Sequence, residues 1–151
     1  MRNKGFTLIE LVIVMALLAI IAAIVVPMFL LTTDRARLRA DVQSARVINN
    51  AMDLYRMERG RAVDYSPNVT TMEQIIDHLI YTGYINPRNI NLQTAGADWY
   101  RRAATGAGNT AETMERVQVD ITGSDPEIRN AAFQSLSRDE RAYVRGGETT
   151  P

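Results

Sequence analysis

The hydrophobic residues of this chain fall into two different patterns. Between Phe6 and Leu31, 23 of 26 residues are apolar, and only Thr7, Glu10 and Pro27 interrupt the run. A helix of that composition is apolar on every side, and Leu11 to Leu31 is 21 residues without a charge. At about 1.5 Å per residue those residues reach roughly 31 Å, enough to cross a hydrocarbon core of about 30 Å. Beyond Thr33 the pattern changes. Leu38, Val42, Ala45, Ile48, Met52 and Tyr55 recur at steps of 4, 3, 3, 4 and 3 on an otherwise polar stretch. Such a period marks a single apolar stripe on an amphipathic helix. No Gly or Pro lies between Asp34 and Arg59, and Gly60 supplies a stop. The two patterns together predict one helix from about Thr7 to Arg59, roughly 80 Å long at the same rise, half anchor and half spine of a polar domain.

After this helix the signals are shorter. Arg61 to Thr70, with Asp64, Ser66, Pro67 and Asn68, reads as a loop. Thr71-Met72-Glu73-Gln74 fits a capping box, and Ile75, Ile76, Leu79 and Ile80 give the following helix its apolar face up to Gly83. Trp99-Tyr100 suggests a strand, and Thr105 to Thr110 a glycine-rich turn. Val117, Val119 and Ile121 alternate with Gln118, Asp120 and Thr122, the pattern of a half-buried strand. Asp125-Pro126-Glu127 is a helix start, with Ile128, Ala131, Ala132 and Leu136 on one face. Ser137 to Glu140 forms a second capping box, before Gly146-Gly147 and a tail expected to fray. A small antiparallel sheet laid over the Leu38–Tyr55 stripe would complete an α+β headpiece with a helical C-terminal extension.

Composition narrows the chemistry. The 151 residues carry 17 Lys plus Arg against 17 Asp plus Glu, so no strong basic excess points to a nucleic-acid binder. A chain of this size cannot surround a 26-residue helix that is apolar on all sides, which favours membrane insertion over a buried core helix. There is no cysteine, which removes disulfides, thiolate metal sites and cysteine nucleophiles. His78 is the single histidine, and helical projection puts it opposite the Ile75–Ile80 face, where it should be exposed. Neither a zinc site nor a histidine relay can be built from it alone. No carboxylate pair stands out as general acid and base, so the chain reads as a non-enzyme without a cofactor. Arg35, Arg39 and Arg46 share one side of the long helix. Interleaved Asp34, Asp41 and Asp53 make that side a poor phosphate track, so a DNA contact is conceivable but unsupported.

The start of the chain is more specific. Arg2 and Lys4 precede Gly5, and Phe6-Thr7-Leu8-Ile9-Glu10 leads into the apolar run. An ordinary secretory signal has a shorter apolar stretch and ends in a small-residue cleavage site, which Val26-Pro27-Met28-Phe29 does not provide. Charge counting alone leans the wrong way for export, because Arg35, Arg37, Arg39 and Arg46 follow the span. The junction at Lys4–Glu10 resembles the prepilin family, which comprises type IV pilins and the pseudopilins of type II secretion and competence. Gly83-Tyr84-Ile85-Asn86-Pro87 is similar to a turn that follows a short helix in many of them, and Pro27 falls where pilins commonly carry a proline.

The resemblance implies a pilin fold and three segments: a leader at 1–5, a transmembrane and polymerisation half-helix at 6–31, and a soluble headpiece at 32–151. It implies cleavage between Gly5 and Phe6 by a prepilin peptidase and methylation of the new Phe6 amine. A carboxylate inside a membrane span is costly unless paired. The family reading pairs Glu10 with the Phe6 amine of a neighbouring subunit, setting register in the filament, while simple solvation of Glu10 at the headgroup level is the bland alternative. Pro27 removes one backbone donor and clashes with the Ala23 carbonyl, so a kink or locally melted turn is expected there. The implied partners are further copies of the chain, the peptidase, an assembly ATPase with its platform protein, and membrane lipid before assembly. The precursor would sit in the cytoplasmic membrane with its headpiece outside the cytoplasm.

Two departures from the family stand beside these matches. The disulfide loop that closes many pilins is impossible here, and Asp98, Asp120, Asp125 and Glu127 lack the spacing of a calcium loop, so they read as surface acids. A secretion pseudopilin is the alternative within the family. A membrane-anchored periplasmic binding or enzymatic domain is the alternative outside it.

Overall fold

The strongest local signal, the absence of any helix breaker but Pro27 over fifty residues, produces the longest element. In the computed structural model α1 spans Leu8–Arg59, 52 residues. The structure describes residues 7–60, 71–102 and 116–147; the Arg61–Thr70 loop, the Thr105–Thr110 turn, the Gly5–Phe6 junction, the Ile128 side chain and the last four residues lie outside the described ones. The helix is unbroken at Pro27, so the melted turn expected there is not adopted. A single missing N–H leaves every other backbone donor of the helix usable. Just beyond it Thr32 and Thr33 donate their hydroxyls to the carbonyls of Met28 and Phe29, each at 2.9 Å.

Two compact units divide the chain at Thr33/Asp34. The second unit is built on the amphipathic stretch of α1. All six residues of its apolar stripe, from Leu38 to Tyr55, are buried. Around them stand α2 (Met72–Tyr81), β1 (Asp98–Arg102), β2 (Arg116–Asp120), α3 (Pro126–Gln134), α4 (Arg138–Arg141) and β3 (Val144–Arg145). The stripe serves two clusters. Ile48, Met52 and Tyr55 pack with Ile75, Ile76 and Leu79 of α2, with Ile85 and with Val117. Leu38, Val42 and Ala45 pack with Val119, Ile121, Ala132, Phe133, Leu136 and Val144, and Trp99 touches both groups.

The local signals explain the element ends. Thr71 accepts from the Gln74 N–H while the Gln74 side chain accepts from the Thr71 N–H, which completes the capping box of α2. At the other end Gly83 takes φ 83°, and the N–H groups of Gly83 and Tyr84 donate to the carbonyls of Ile80 and Leu79. This is a Schellman closure, which needs a left-handed residue and hence favours glycine. Asp125 accepts from the Glu127 N–H at 2.9 Å to start α3, and Ser137 with Glu140 boxes α4.

The sheet differs from the expected antiparallel one. Strands β1 and β2 pair antiparallel with Trp99 opposite Val119, as the alternation suggested. A third strand joins them: Val144 and Arg145 pair parallel with Val119 and Asp120, giving a mixed sheet of order β1-β2-β3. Two residues are too few to show a period, and a parallel partner becomes available only after the α3–α4 crossover has been placed. His78 also departs from expectation. It is half-buried, with its Nε2 3.3 Å from the Tyr55 hydroxyl and its ring edge-on to Tyr55 at 5.5 Å. Tyr84 covers the other side of Tyr55 and donates its hydroxyl to Glu58, whose carboxylate pushes the phenol pKa upward.

Polar residues of α1 fix how the sheet and loops dock. Asn49 is 3% exposed; its side-chain oxygen accepts from the Val117 N–H at 2.8 Å and its amide donates to the Val117 carbonyl at 3.0 Å. The side chain thus pairs with β2 as a neighbouring strand would. One turn on, Asp53 binds Arg116 at 2.7 Å. Asp41, expected on the charged side, is instead fully buried and receives the Gln93 and Thr94 N–H groups at 2.7 and 2.8 Å. It lies three residues after Leu38 and four before Ala45, so it shares their face. Arg39 donates to the Ser135 carbonyl at 2.8 Å and Arg46 covers the Tyr143 ring at 5.2 Å, so both serve the C-terminal extension.

Two tests follow from this docking. Asn49→Ala leaves both Val117 backbone groups unsatisfied in the core and should cost about 2–4 kcal/mol, read as a lowered midpoint in thermal unfolding of the full chain. The Ser137 N–H and hydroxyl hold the Glu140 pKa below its ordinary value. Its capping contribution is therefore complete above the unfolded carboxylate value of about 4.3 and disappears as pH falls through the lowered folded value. The melting-temperature gap between the natural chain and Glu140→Gln should be present at pH 7 and narrow progressively as pH falls below the unfolded carboxylate value of about 4.3.

Candidate assembly segment and its capped N-terminus

From Leu8 to Leu31 every large apolar side chain is exposed, from 82% at Leu8 to 40% at Leu31. The 18-residue window of highest mean hydropathy reaches 3.1 with none of it buried. A soluble core helix of similar composition would be covered by its own domain. Exposed apolar surface on this scale belongs to a membrane span or to a helix awaiting partners. Among the described residues this is the one helix long and apolar enough to cross a bilayer.

Its start is polar and locally satisfied. Glu10 accepts from the Thr7 N–H at 2.9 Å and from the Thr7 hydroxyl at 2.7 Å, while the Glu10 N–H points back to the Thr7 hydroxyl at 3.4 Å. This is a capping box, with Thr7 before the first helical residue and Glu10 at the third position. The Thr-x-x-Glu spacing was legible in the sequence but was hidden inside the longer junction motif. Two backbone donors near the helix start thus have a side-chain acceptor close by, and the carboxylate sits where the helix dipole favours it. Between Thr7 and Thr33 the polar side chains are Thr7 and Glu10 at one end and Thr32 and Thr33 at the other.

Pro27 lies in the same apolar stretch, inside the helix. Gly5 and Phe6, the junction pair, lie outside the described residues. The remaining candidates do not converge on a centre. Asp120 pairs with Arg145 at 3.3 Å and accepts from the Thr122 N–H and hydroxyl. Asp125 and Asp98 accept backbone N–H groups beside them. Among the described residues no group of three or more His, Asp or Glu side chains is arranged to hold a metal ion. Asp41 and Asn49, which sequence reasoning did not single out, are positioning groups of the headpiece. Their signal was only their helical step from the stripe.

The family model of the prokaryotic N-terminal methylation motif matches residues 1–26. The type IV wide pilus major component of Thermus thermophilus is 31% identical over 138 residues, covering 84% of this chain and 98% of that protein. Type II secretion system core protein G of Aeromonas hydrophila is 32% identical over 79 residues, and the chain spans about half of that relative's length, 50%. A prepilin peptidase-dependent protein of Clostridium perfringens is 39% identical over 59 residues, 38% of this chain and 42% of that protein. No solved structure is significantly similar. A methylation motif over the bare apolar helix, and a pilus subunit aligned across helix and headpiece alike, mean that this chain belongs to the type IV pilin and pseudopilin family.

Proposed function

We propose that the chain is the structural subunit of a type IV pilus-like filament. The observation that carries this reading is an all-round apolar, wholly unburied helical segment whose one carboxylate stands at its start. In the precursor, lipid surrounds the segment; in the polymer, the same segments of other copies replace lipid, so its apolar surface is never left in water. The work is mechanical, and relatives with structural names support a subunit rather than an enzyme.

The precursor is a single-pass protein of the cytoplasmic membrane with its headpiece outside the cytoplasm. Residues 1–5 are the leader, 6–31 the polymerisation segment and 32–151 the headpiece. A prepilin peptidase cuts between Gly5 and Phe6; the dependence named for the Clostridium relative supports this partner. Gly5 fits such a cut because a residue without a side chain lets extended backbone enter a narrow cleft. Phe6 then receives the methyl group on its amine. An assembly ATPase and platform protein lift subunits out of the membrane. Glu10 pairs with the Phe6 amine of a neighbour and sets the axial register. Pro27 marks the place where the packed helix yields. The likeness to core protein G supports a secretion pseudopilus as a second form of the same polymer.

Intact mass and N-terminal fragmentation of the membrane-extracted protein should show a 146-residue chain beginning at methylated Phe6, and an intact Met1 start would sink the reading. Glu10→Ala leaves the neighbour's amine unpaired in a low-dielectric core, at a cost of about 3–5 kcal/mol. Sheared filament should then fall roughly tenfold or more while membrane-bound mature subunit remains; unchanged filament yield removes the register role.

A further inference from the structure

The headpiece carries two grooves of opposite charge along opposite edges of its sheet. Strand order β1-β2-β3 makes β1 one edge and β3 the other. Beside β1, the first turns of α2 and the start of the strand enclose a groove of about 520 Å³. Among the described residues its charged lining is acidic, Glu73, Asp77 and Asp98, beside the apolar Met72, Ile76 and Trp99. No described residue forms an ion pair with any of these three carboxylates.

Beside β3, a groove of about 780 Å³ is lined by Arg138, Arg141 and Arg145, with no carboxylate among its described lining residues. Two of these cations are held in place before any contact, Arg141 by uncharged groups and Arg145 partly by a carboxylate. Arg141 donates to the carbonyls of Leu136 and Gln134 and lies over the Phe133 ring at 5.3 Å. Arg145 stacks on Tyr100 at 3.8 Å and has Asp120 behind it at 3.3 Å. Arg138 opens α4 and is exposed, with no bond to a described residue. Side chains immobilised before contact lose less entropy when a partner arrives.

Grooves on opposite edges of one sheet do not close on each other within one headpiece, but they can between two. A contact joining different patches of identical chains is heterologous, and its repetition builds an open helical polymer. We propose that the Glu73/Asp77/Asp98 groove of one headpiece receives the Arg138/Arg141/Arg145 edge of the next copy of this chain. The inference rests on the filament reading and adds the headpiece contact that gives neighbouring subunits their lateral order. Charged rims of this kind act mainly on encounter and register, and salt weakens them. The apolar residues beside the acids supply the salt-insensitive part of the contact.

The test uses full-length chains assembled in cells. Asp77→Arg and Arg138→Glu both lie on exposed helix surface, away from the buried clusters. Each alone should lower filament yield about tenfold, and the two together should restore it, because the swapped charges again face each other. Because the chain has no cysteine, Asp77→Cys combined with Arg138→Cys gives a direct readout. Oxidised filaments of that variant should run as a ladder of covalent oligomers, and either substitution alone should not. Normal filaments from both single reversals, loss that the double variant does not rescue, or intact cysteine filaments without a ladder would each overturn the contact. If the unsubstituted chain forms no filament beside an assembling relative, the filament reading itself fails and takes this contact with it.

Discussion

The physical constraint behind everything else is that α1 cannot be left in water. Twenty-one uncharged residues form a cylinder with no polar side, and among the described residues none of its apolar window is buried. Lipid and packed copies of the same helix are the two environments that tolerate it, and a subunit that moves from one to the other conserves its apolar burial throughout. This is why a single sequence can be both a membrane protein and a polymer unit. The capped Thr7–Glu10 start fits the same constraint, since it answers the exposed backbone donors of the helix end with a carboxylate already present in the motif.

The headpiece solves a different problem with the same helix. A stripe about one residue wide on each turn must hold three short helices and a sheet of three strands, one of them two residues long, none of them stable alone. Apolar burial supplies most of the attraction, but it is non-directional. Direction comes from the polar residues bordering the stripe: Asn49 against both backbone groups of Val117, Asp53 against Arg116, and Asp41 against the loop at Gln93–Thr94. Each leaves a buried group unsatisfied if the register slips, so the wrong docking is penalised more than the right one is rewarded. In a chain without cysteine, and so without a disulfide to staple the C-terminal region, Arg39 and Arg46 add further ties from α1 to it.

Members of one family can be mechanical parts of different machines because the shared helix and the variable surface answer to different pressures. Burial of the apolar segment depends only on hydrophobicity and on the junction chemistry, which a methylation-motif model detects over residues 1–26. The headpiece surface, with its acidic β1 edge and basic β3 edge, is set by residues that bury little and can change sign without cost to the core. Relationships to a pilus component and to secretion core proteins at about 30% identity are what that division produces.

Local patterns in the sequence determined what local physics controls. The long helix, the six-residue stripe, the Val117–Val119–Ile121 strand, both headpiece capping boxes and the Gly83 closure were all legible, because each depends on residues within a few positions of one another. Legibility stopped where a residue's role depends on a partner far along the chain. Asp41 and Asn49 read as ordinary polar positions on a helix until the Gln93 loop and β2 came against them. His78 read as exposed until Tyr55 came against it, and Val144–Arg145 had no period to display until the α3–α4 crossover set it beside β2. Periodicity reports which side of an element prefers to leave water. Only the tertiary structure decides what meets it there, because hydrogen bonds and strand pairing are specific to the atoms that arrive.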